Sequence, residues 1–483
     1  VLKQTPRRAL TAAKDPDLSS HAGSGDQTPI SSPSQLEAWH AQGEKPAARW
    51  RVGTEYEKFG FDRGLEPLVY AGRPGVRDVL ETLAARFGWE PGHDAGQLIA
   101  LSPPPGSALS GVISLEPGGQ LELSGAPQPT IHAARAELDQ HLAHLAELTR
   151  LLGVRWLWLG HQPVHPLERL DWMPKRRYAI MRDYLPRRGA LACNMMQATS
   201  TVQANLDFAD ARDMGDKLRV AMGISSIVTA IFANSPFLGG RPAGHFSTRA
   251  TVWSATDPDR QGLLPFVFDG EPPSYDRWVA WALDVPMFFI ARDGALIPAN
   301  GLPFRRFMRE GFLGHRATME DWETHVSTLF PDVRIKRYLE VRTADCVPPR
   351  YICALPALWK GILYAPDART AAWDLVKRWT MDERQAHREA VPRDGLHTAT
   401  PRSRATTKEL AIELVAIAEA GLDALATTLP AGEPSESVHL APLAALTRDG
   451  RCPADEALAS WRPGQTPSQL LAALLDLHDA QQR

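Results

Sequence analysis

The thirteen residues ISLEPGGQLELSG (Ile113–Gly125) alternate apolar and polar side chains about a Pro-Gly-Gly turn. Ile113, Leu115, Leu121 and Leu123 are apolar; Ser114, Glu116, Gln120, Glu122 and Ser124 are polar. Side chains alternate faces along a strand, so the spacing predicts an antiparallel hairpin with one polar face. If Pro117-Gly118-Gly119 is a three-residue loop, Glu116 lies opposite Gln120 and Ser114 opposite Glu122. Opposed residues share a face, which puts both glutamates on one side and all four aliphatic residues on the other. A two-residue loop mixes the faces, so the pattern favours three.

Other segments repeat the arrangement. Glu55 and Glu57 in GTEYEKF share a face. In TSTVQANLDF, Thr199, Thr201, Gln203, Asn205 and Asp207 share one face, against Val202, Ala204, Leu206 and Phe208. In RIKRYLEVR, Tyr338, Glu340 and Arg342 share a face opposite Leu339 and Val341, and one further strand is predicted within residues 330–345. A solvated sheet face accounts for any one of these segments alone. Together they gather five glutamates with little Lys or Arg beside them. Crowded carboxylates repel, and some protonate near pH 7 unless a cation neutralises them. Oxygen donors without His or Cys suit Mg²⁺, and Mg²⁺ among clustered acids points to a nucleoside triphosphate. GGRPAGHF (239–246) approaches a P-loop, but His245 replaces the lysine. G-x-G-x-x-G after a strand, H-E-x-x-H and G-x-S-x-G are absent from the sequence. A sheet whose acidic face holds Mg²⁺ and ATP remains.

The 483 residues can hold two or three cores, and 44% hydrophobic with 23% charged residues is ordinary for a globular chain. A net charge of −3 gives no field that recruits nucleic acid or an anionic membrane. No apolar run reaches the length of a membrane span. Residues 1–34 read as a disordered tail: they lack an apolar signal region, and Asp15, Asp17 and Asp26 argue against a transit peptide. A cytoplasmic location is expected. Cys193, Cys346, Cys353 and Cys452 are too few for a disulfide scaffold; reduced thiols are expected, with a regulatory disulfide at Cys346 or Cys353 left open.

Helices are expected over 33–42, 76–89, 130–153 (stopped by Gly153) and 213–234 (capped by Asp213). An α+β catalytic core over 35–350 and a helical C-terminal region over 351–483, packed on it, follow. Trp253, Trp278 and Trp281 read as core.

The blocks GTEYEKFGF, ISLEPGGQLELSGAP, MPKRRYAIMRDYLP, ATSTVQANLDF, FANSPFLGGRPAGHFSTRATVW, DRQGLLPFVF, YDRWVAWALDVPMFF, FPDVRIKRYLEVRTAD and CALPALWKGILY occur in this order. In them the chain resembles the plant-type glutamate–cysteine ligases of plants and many proteobacteria. The resemblance implies a glutamine-synthetase-like core: a curved antiparallel sheet with flanking helices that binds ATP and Mg²⁺. It implies ATP-dependent joining of the glutamate γ-carboxylate to the cysteine amine, the first step of glutathione biosynthesis, by a monomer or homodimer. Glu55, Glu57, Glu116, Glu122 and Glu340 would then be metal ligands, with Gln203 where a related branch uses histidine. Arg177 and Arg249 would hold substrate carboxylate or phosphate groups. Arg342, beside Glu340, would face the ATP phosphates, and this pair would be catalytic. A ligase using another amine, or a non-catalytic nucleotide-binding homologue, stays open, as does the acid that takes the amine proton.

Overall fold

The computed structural model describes residues 25–104 and 111–481. Pro117-Gly118-Gly119 closes the acidic hairpin as a three-residue loop: Glu116 N–H donates to Gln120 O at 2.9 Å, and Ser114 faces Glu122 across the strands. Gly119 has φ +84, where a side chain is strained, and a Cβ on Gly118 would meet Gln197 O at 2.1 Å. The turn requires both glycines.

Nine strands form one antiparallel sheet around β1 (Val52–Phe61). On one side β1 pairs with the hairpin strand β5 (Leu121–Ser124), then come β4 (Val112–Leu115), β3 (Gln97–Ser102) and β2 (Glu90–Asp94). On the other side it pairs with β7 (Val202–Leu206), followed by strands Leu339–Val341 and Val333–Ile335. β6 (Arg155–Leu157) pairs with the far end of β1. The register sets Glu57 opposite Glu122, Glu55 between Ser124 and Gln203, and Glu340 opposite Asn205.

The apolar face of the sheet is covered by helices Ile131–Leu152 and Ala354–Tyr364. Thr130 caps the first by accepting Ala133 N–H at 3.1 Å, and Gly153 ends it at φ +74. Tyr56, Val202, Ala204 and Leu206 on the sheet and Ala354, Leu358 and Ile362 on the second helix are buried in one continuous core. Burial of that apolar area is what holds the polar face rigid. A smaller core joins Phe59, Phe61 and Leu157 to Leu470, Leu471, Leu474 and Leu475 of helix Pro467–Gln481. Among the described residues no helix is long and apolar enough to cross a membrane.

Three expectations change. The single strand within 330–345 is a hairpin, with Arg334 opposite Glu340 and Ile335 opposite Leu339. The helix Ala211–Ile231 is capped by Asp210, whose Oδ1 accepts Asp213 N–H at 2.8 Å; Asp213 instead pairs with Lys217 at 2.8 Å. Residues 1–24 of the expected tail lie outside the described residues, but residues 26–30 are tied to the body by backbone hydrogen bonds. Ile30 is buried and donates to Ala317 O at 2.9 Å, and helix Pro33–Ala41 follows. All four cysteines are free, and burial pushes the Cys353 thiol up to about 12.

Candidate active site

A cleft of ≈ 980 Å³ opens over the polar face. Its floor is acidic. Glu55, Glu57, Glu116 and Glu122 line it, as the face parity requires, and Thr199 and Thr201, just before β7, and Gln203 on β7 continue it. Glu55, Glu57 and Glu122 are fixed by backbone or side-chain donors. Asn205 Nδ2 donates to Glu55 at 2.8 Å and Thr201 N–H to Glu57 at 3.1 Å. Ser114 and Ser124 hydroxyls donate to the two oxygens of Glu122 at 2.8 and 3.0 Å.

Burial, with Glu340 and Glu122 nearby, pushes the Glu55 carboxyl up to about 7. Burial and the charge of Glu116 do the same to Glu122, also to about 7. Burial lifts Glu57 well above the ordinary carboxylate range, with Glu116 and Glu122 adding to it. Burial raises Glu116 too, against the pull of Lys175 and Arg177. Four such groups cannot all ionise at neutral pH without a compensating cation. The donor set is all oxygen, which fits Mg²⁺ and not a soft metal. Among the described residues no three His, Cys, Asp or Glu side chains already form a metal-holding group.

The walls are basic. Helix Arg176–Tyr184 is tied to the acidic hairpin at both Met173 N–H→Pro117 O (2.9 Å) and Tyr178 OH→Leu115 O (2.8 Å). It thereby delivers Lys175 and Arg177 to the cleft; Arg177 also lies 5.9 Å from the Phe289 ring centre. Burial lowers the Lys175 ammonium to about 8, although Glu116 and Glu122 favour its charge. Helix Thr248–Ser254 presents Arg249, whose Nη2 donates to Arg342 O at 3.0 Å and whose buried Nε has no hydrogen-bond partner among the described residues. Arg342 lies 5.8 Å from the Trp253 ring centre and 5.6 Å from that of Phe330, and its Nη1 donates to Gln203 at 2.9 Å.

Glu340 is fully buried and does not line the cleft. Arg334 holds it bidentately at 2.7 Å, Lys336 lies 3.4 Å away, and Arg342 bonds it as well. These three cations, outweighing burial, hold its carboxyl well below the usual range. In this ligand-free structure its two carboxylate oxygens are shared among these cations. Trp253 and Trp281 pack on the core as expected, Trp253 also lining the cleft, and Trp278 is fully buried.

Lys175, Arg334 and Lys336 line the cleft but were not singled out by sequence. Their signal was present: Lys175 is two residues before Arg177, and Arg334 and Lys336 keep the parity of Glu340 and Arg342. Asp345 had no such signal. It accepts from Asn234 N–H (2.8 Å), Ser235 Oγ (2.6 Å) and Ser247 Oγ (2.8 Å), and Ser235 Oγ in turn accepts Arg249 N–H at 3.1 Å.

Comparison with known proteins agrees with this geometry. Residues 51–470 match the family described as glutamate-cysteine ligase family 2. The chloroplastic glutamate–cysteine ligase B of Oryza sativa subsp. japonica is 44% identical over 393 residues, covering 80% of this chain and 77% of that protein. The chloroplastic enzyme of Medicago truncatula is 41% identical over 423 residues, covering 86% and 80%. The crystal structure of glutamate–cysteine ligase from Francisella tularensis in complex with AMP superposes with a TM-score of 0.56 at 13% identity, covering 90% of this chain and 89% of that one. That likeness shows the shared α+β, glutamine-synthetase-like fold expected from the sequence. The cytoplasmic expectation is overturned, because these plant relatives are named chloroplastic. By the match across residues 51–470 and the identity to the plant enzymes, the chain belongs to glutamate–cysteine ligase family 2.

Proposed function

We propose that the cleft joins the γ-carboxylate of glutamate to the amine of cysteine at the expense of ATP, giving γ-glutamylcysteine, ADP and phosphate. The observation that carries this reading is the four-glutamate floor, with Glu55, Glu57 and Glu122 buried and Glu116 half-buried, facing arginines on two walls in a chain of this family. The AMP held by the Francisella tularensis enzyme of the same fold supports a nucleotide ligand. Glu55, Glu57, Glu116 and Glu122 would hold Mg²⁺ together with phosphate oxygens. When bound, the ion neutralises phosphate charge and polarises the transferring group.

A carboxylate resists amine attack because it is anionic and lacks a leaving group. A γ-carboxylate oxygen of glutamate attacks the γ-phosphorus of ATP, the bond to the β-phosphate oxygen breaks, and ADP leaves. The cysteine nitrogen then attacks the acyl carbon, the carbon–oxygen bond to phosphate breaks, and the amine proton is lost to an acceptor. Phosphoryl transfer depends on positioning and charge more than on covalent help. Arg177 and Arg249 suit fork-shaped contacts with substrate carboxylates, and Arg342 contacts with phosphate. Burial of the floor keeps water from the acyl phosphate, which would otherwise hydrolyse.

Incubation with ATP, Mg²⁺, glutamate and cysteine should yield γ-glutamylcysteine and ADP in equal amounts. Absence of both products would overturn the reading; a strong preference for another amine would move it to a neighbouring ligase activity.

A further inference from the structure

Arg388 does not line the cleft, yet it holds a segment that carries the cleft's basic wall. It stands on helix Met381–Asp394, in the C-terminal region. Its Nε and Nη2 donate to the two oxygens of Asp332 at 2.9 Å each, and Nη2 also donates to Gln261 Oε1 at 3.2 Å. Asp332 is buried and accepts Ser225 Oγ at 3.2 Å. Its backbone is a junction. The N–H donates to Gly262 O at 3.0 Å, beside the parallel pairing of Phe330–Pro331 with Gln261–Gly262, and the carbonyl accepts Arg342 N–H at 3.1 Å. Val333 opposite Val341 is the last paired position of its hairpin, so Arg342 is the first residue beyond the pairing and is placed by Asp332. A cavity of ≈ 40 Å³ shares Arg249, Trp253, Phe330 and Arg342 with the cleft and is also lined by Asp332 and Arg388.

We propose that Arg388 is a positioning residue for nucleotide binding: by gripping Asp332 it fixes the backbone from which Arg342 reaches the cleft. The proposal rests on the reading of Arg342 as a phosphate contact. A bidentate guanidinium–carboxylate pair sets direction as well as distance. Here it joins the C-terminal helix to the residue that holds Arg342, and the bond to Gln261 ties in the neighbouring strand. Without Arg388 the buried Asp332 carboxylate would keep one hydroxyl donor, Ser225 Oγ. An uncompensated buried charge is costly, so the junction would open to let it reach water or another cation. Arg342 would move with it. Arg249 is held separately: Pro392 O accepts Phe246 and Ser247 N–H at 2.8 and 3.0 Å, and Asp345 accepts Ser247 Oγ. Loss of Arg388 should therefore reach the nucleotide before the amino-acid substrates.

The test uses the full chain and four variants, with melting temperature, kcat and KM for each substrate. Arg342→Met should raise KM for ATP about tenfold, the size of a lost charged contact. Arg388→Met should raise it about fivefold, within the range of coupling inside one network, and leave KM for glutamate and cysteine within about twofold. Arg388→Lys keeps the charge but loses the fork; it covers the case in which Arg388→Met does not fold, and should raise KM for ATP about threefold. Arg384→Met is the control for loosening of the helix. Arg384 lies one turn earlier, is buried, and bonds Val376 O at 2.7 Å and Gly223 O at 3.5 Å, away from the wall. Its loss should lower the melting temperature as Arg388→Met does and leave KM for ATP within about twofold. A normal KM for ATP in Arg342→Met sinks the phosphate reading, and the proposal with it. A raised value in Arg342→Met with normal values in both Arg388 variants overturns the positioning role alone. So does a rise in Arg384→Met as large as that in Arg388→Met, because the effect would then be general loosening of the helix.

Discussion

At Glu122, burial and the Glu116 charge favour the neutral acid, while two serine hydroxyls favour the ion. The site is poised for a cation to decide the balance. Glu122→Gln keeps the size and one acceptor but removes the charge. Turnover should fall at least about tenfold and the Mg²⁺ concentration for half-activity should rise, with circular dichroism unchanged. Wild-type activity at limiting Mg²⁺ would remove Glu122 from the proposed ligand set. Asp345 acts at one remove, since its hydroxyl and backbone donors tie Ser235 and Ser247 to the helix that carries Arg249. Asp345→Asn replaces one acceptor oxygen with a donor facing hydroxyl groups. It should cost about 2 kcal/mol in a urea melt, the usual penalty for a mispaired buried polar group. KM for glutamate should rise more than kcat falls if Arg249 is displaced; equal changes in all three KM values would point to a general loss of packing. Glu122 was legible in the sequence because its partners lie within one hairpin. Asp345 was not, because its three partners come from segments about a hundred residues away.

The acidic hairpin shows why some elements could be read and others not. An alternating pattern with a fixed loop leaves one free variable, the loop length, and only three residues put Glu116 and Glu122 on one face. Strands Val333–Ile335 and Leu339–Val341 escaped because their turn also holds an odd number of residues. Parity then runs unbroken from Arg334 to Arg342, and a straight strand and a folded hairpin give the same pattern. The hairpin Phe289–Arg292 with Ala295–Pro298 carries an Asp293-Gly294 turn signal, with φ of +50 and +74, but its strands do not alternate apolar with polar. The Pro-Gly-Gly turn also holds up the helix bearing Lys175 and Arg177, through Pro117 O and Leu115 O. Gly118→Ala should therefore affect both walls. The added methyl meets Gln197 O at 2.1 Å, which backbone must yield to accommodate. A loss of more than about 2 kcal/mol in a denaturant melt is expected, in the range of overpacked sites. Weaker MgATP binding should accompany it. Gly119→Ala strains the turn residue, at φ +84, and otherwise presses on the flexible end of Met173 at 3.2 Å; it should cost about 1 kcal/mol. Equal costs for the two substitutions would mean that the Gln197 contact relaxes freely.

Across the whole molecule, two sets of buried groups respond to pH with opposite signs. Burial holds His40, His161 and His387 down to about 4, and His325 and His478 to about 3. Below pH 6.5 the unfolded chain takes up protons that these folded histidines refuse, so their contribution is complete above 6.5 and is lost as pH falls. For a histidine at about 4 the loss at pH 5 is on the order of 2 kcal/mol. Glu55 and Glu122 run the other way. Their folded carboxyls sit at about 7, above the unfolded value, so their contribution is complete below about pH 4.5 and is lost as pH rises through 7. Between pH 7 and 5 the two sets therefore oppose each other in the ligand-free protein. MgATP bound at the floor, as proposed, would compete with protons for the same glutamates. The rise in melting temperature on adding MgATP should be largest near pH 8 and shrink steadily towards pH 5.5. Glu55→Gln/Glu122→Gln should raise the ligand-free melting temperature clearly at pH 8 and little at pH 5, while nearly abolishing the MgATP shift at both. A gain of equal size at pH 8 and pH 5 would show that these carboxyls titrate as ordinary exposed acids, and the charge frustration that makes this floor a cation site would have to be abandoned.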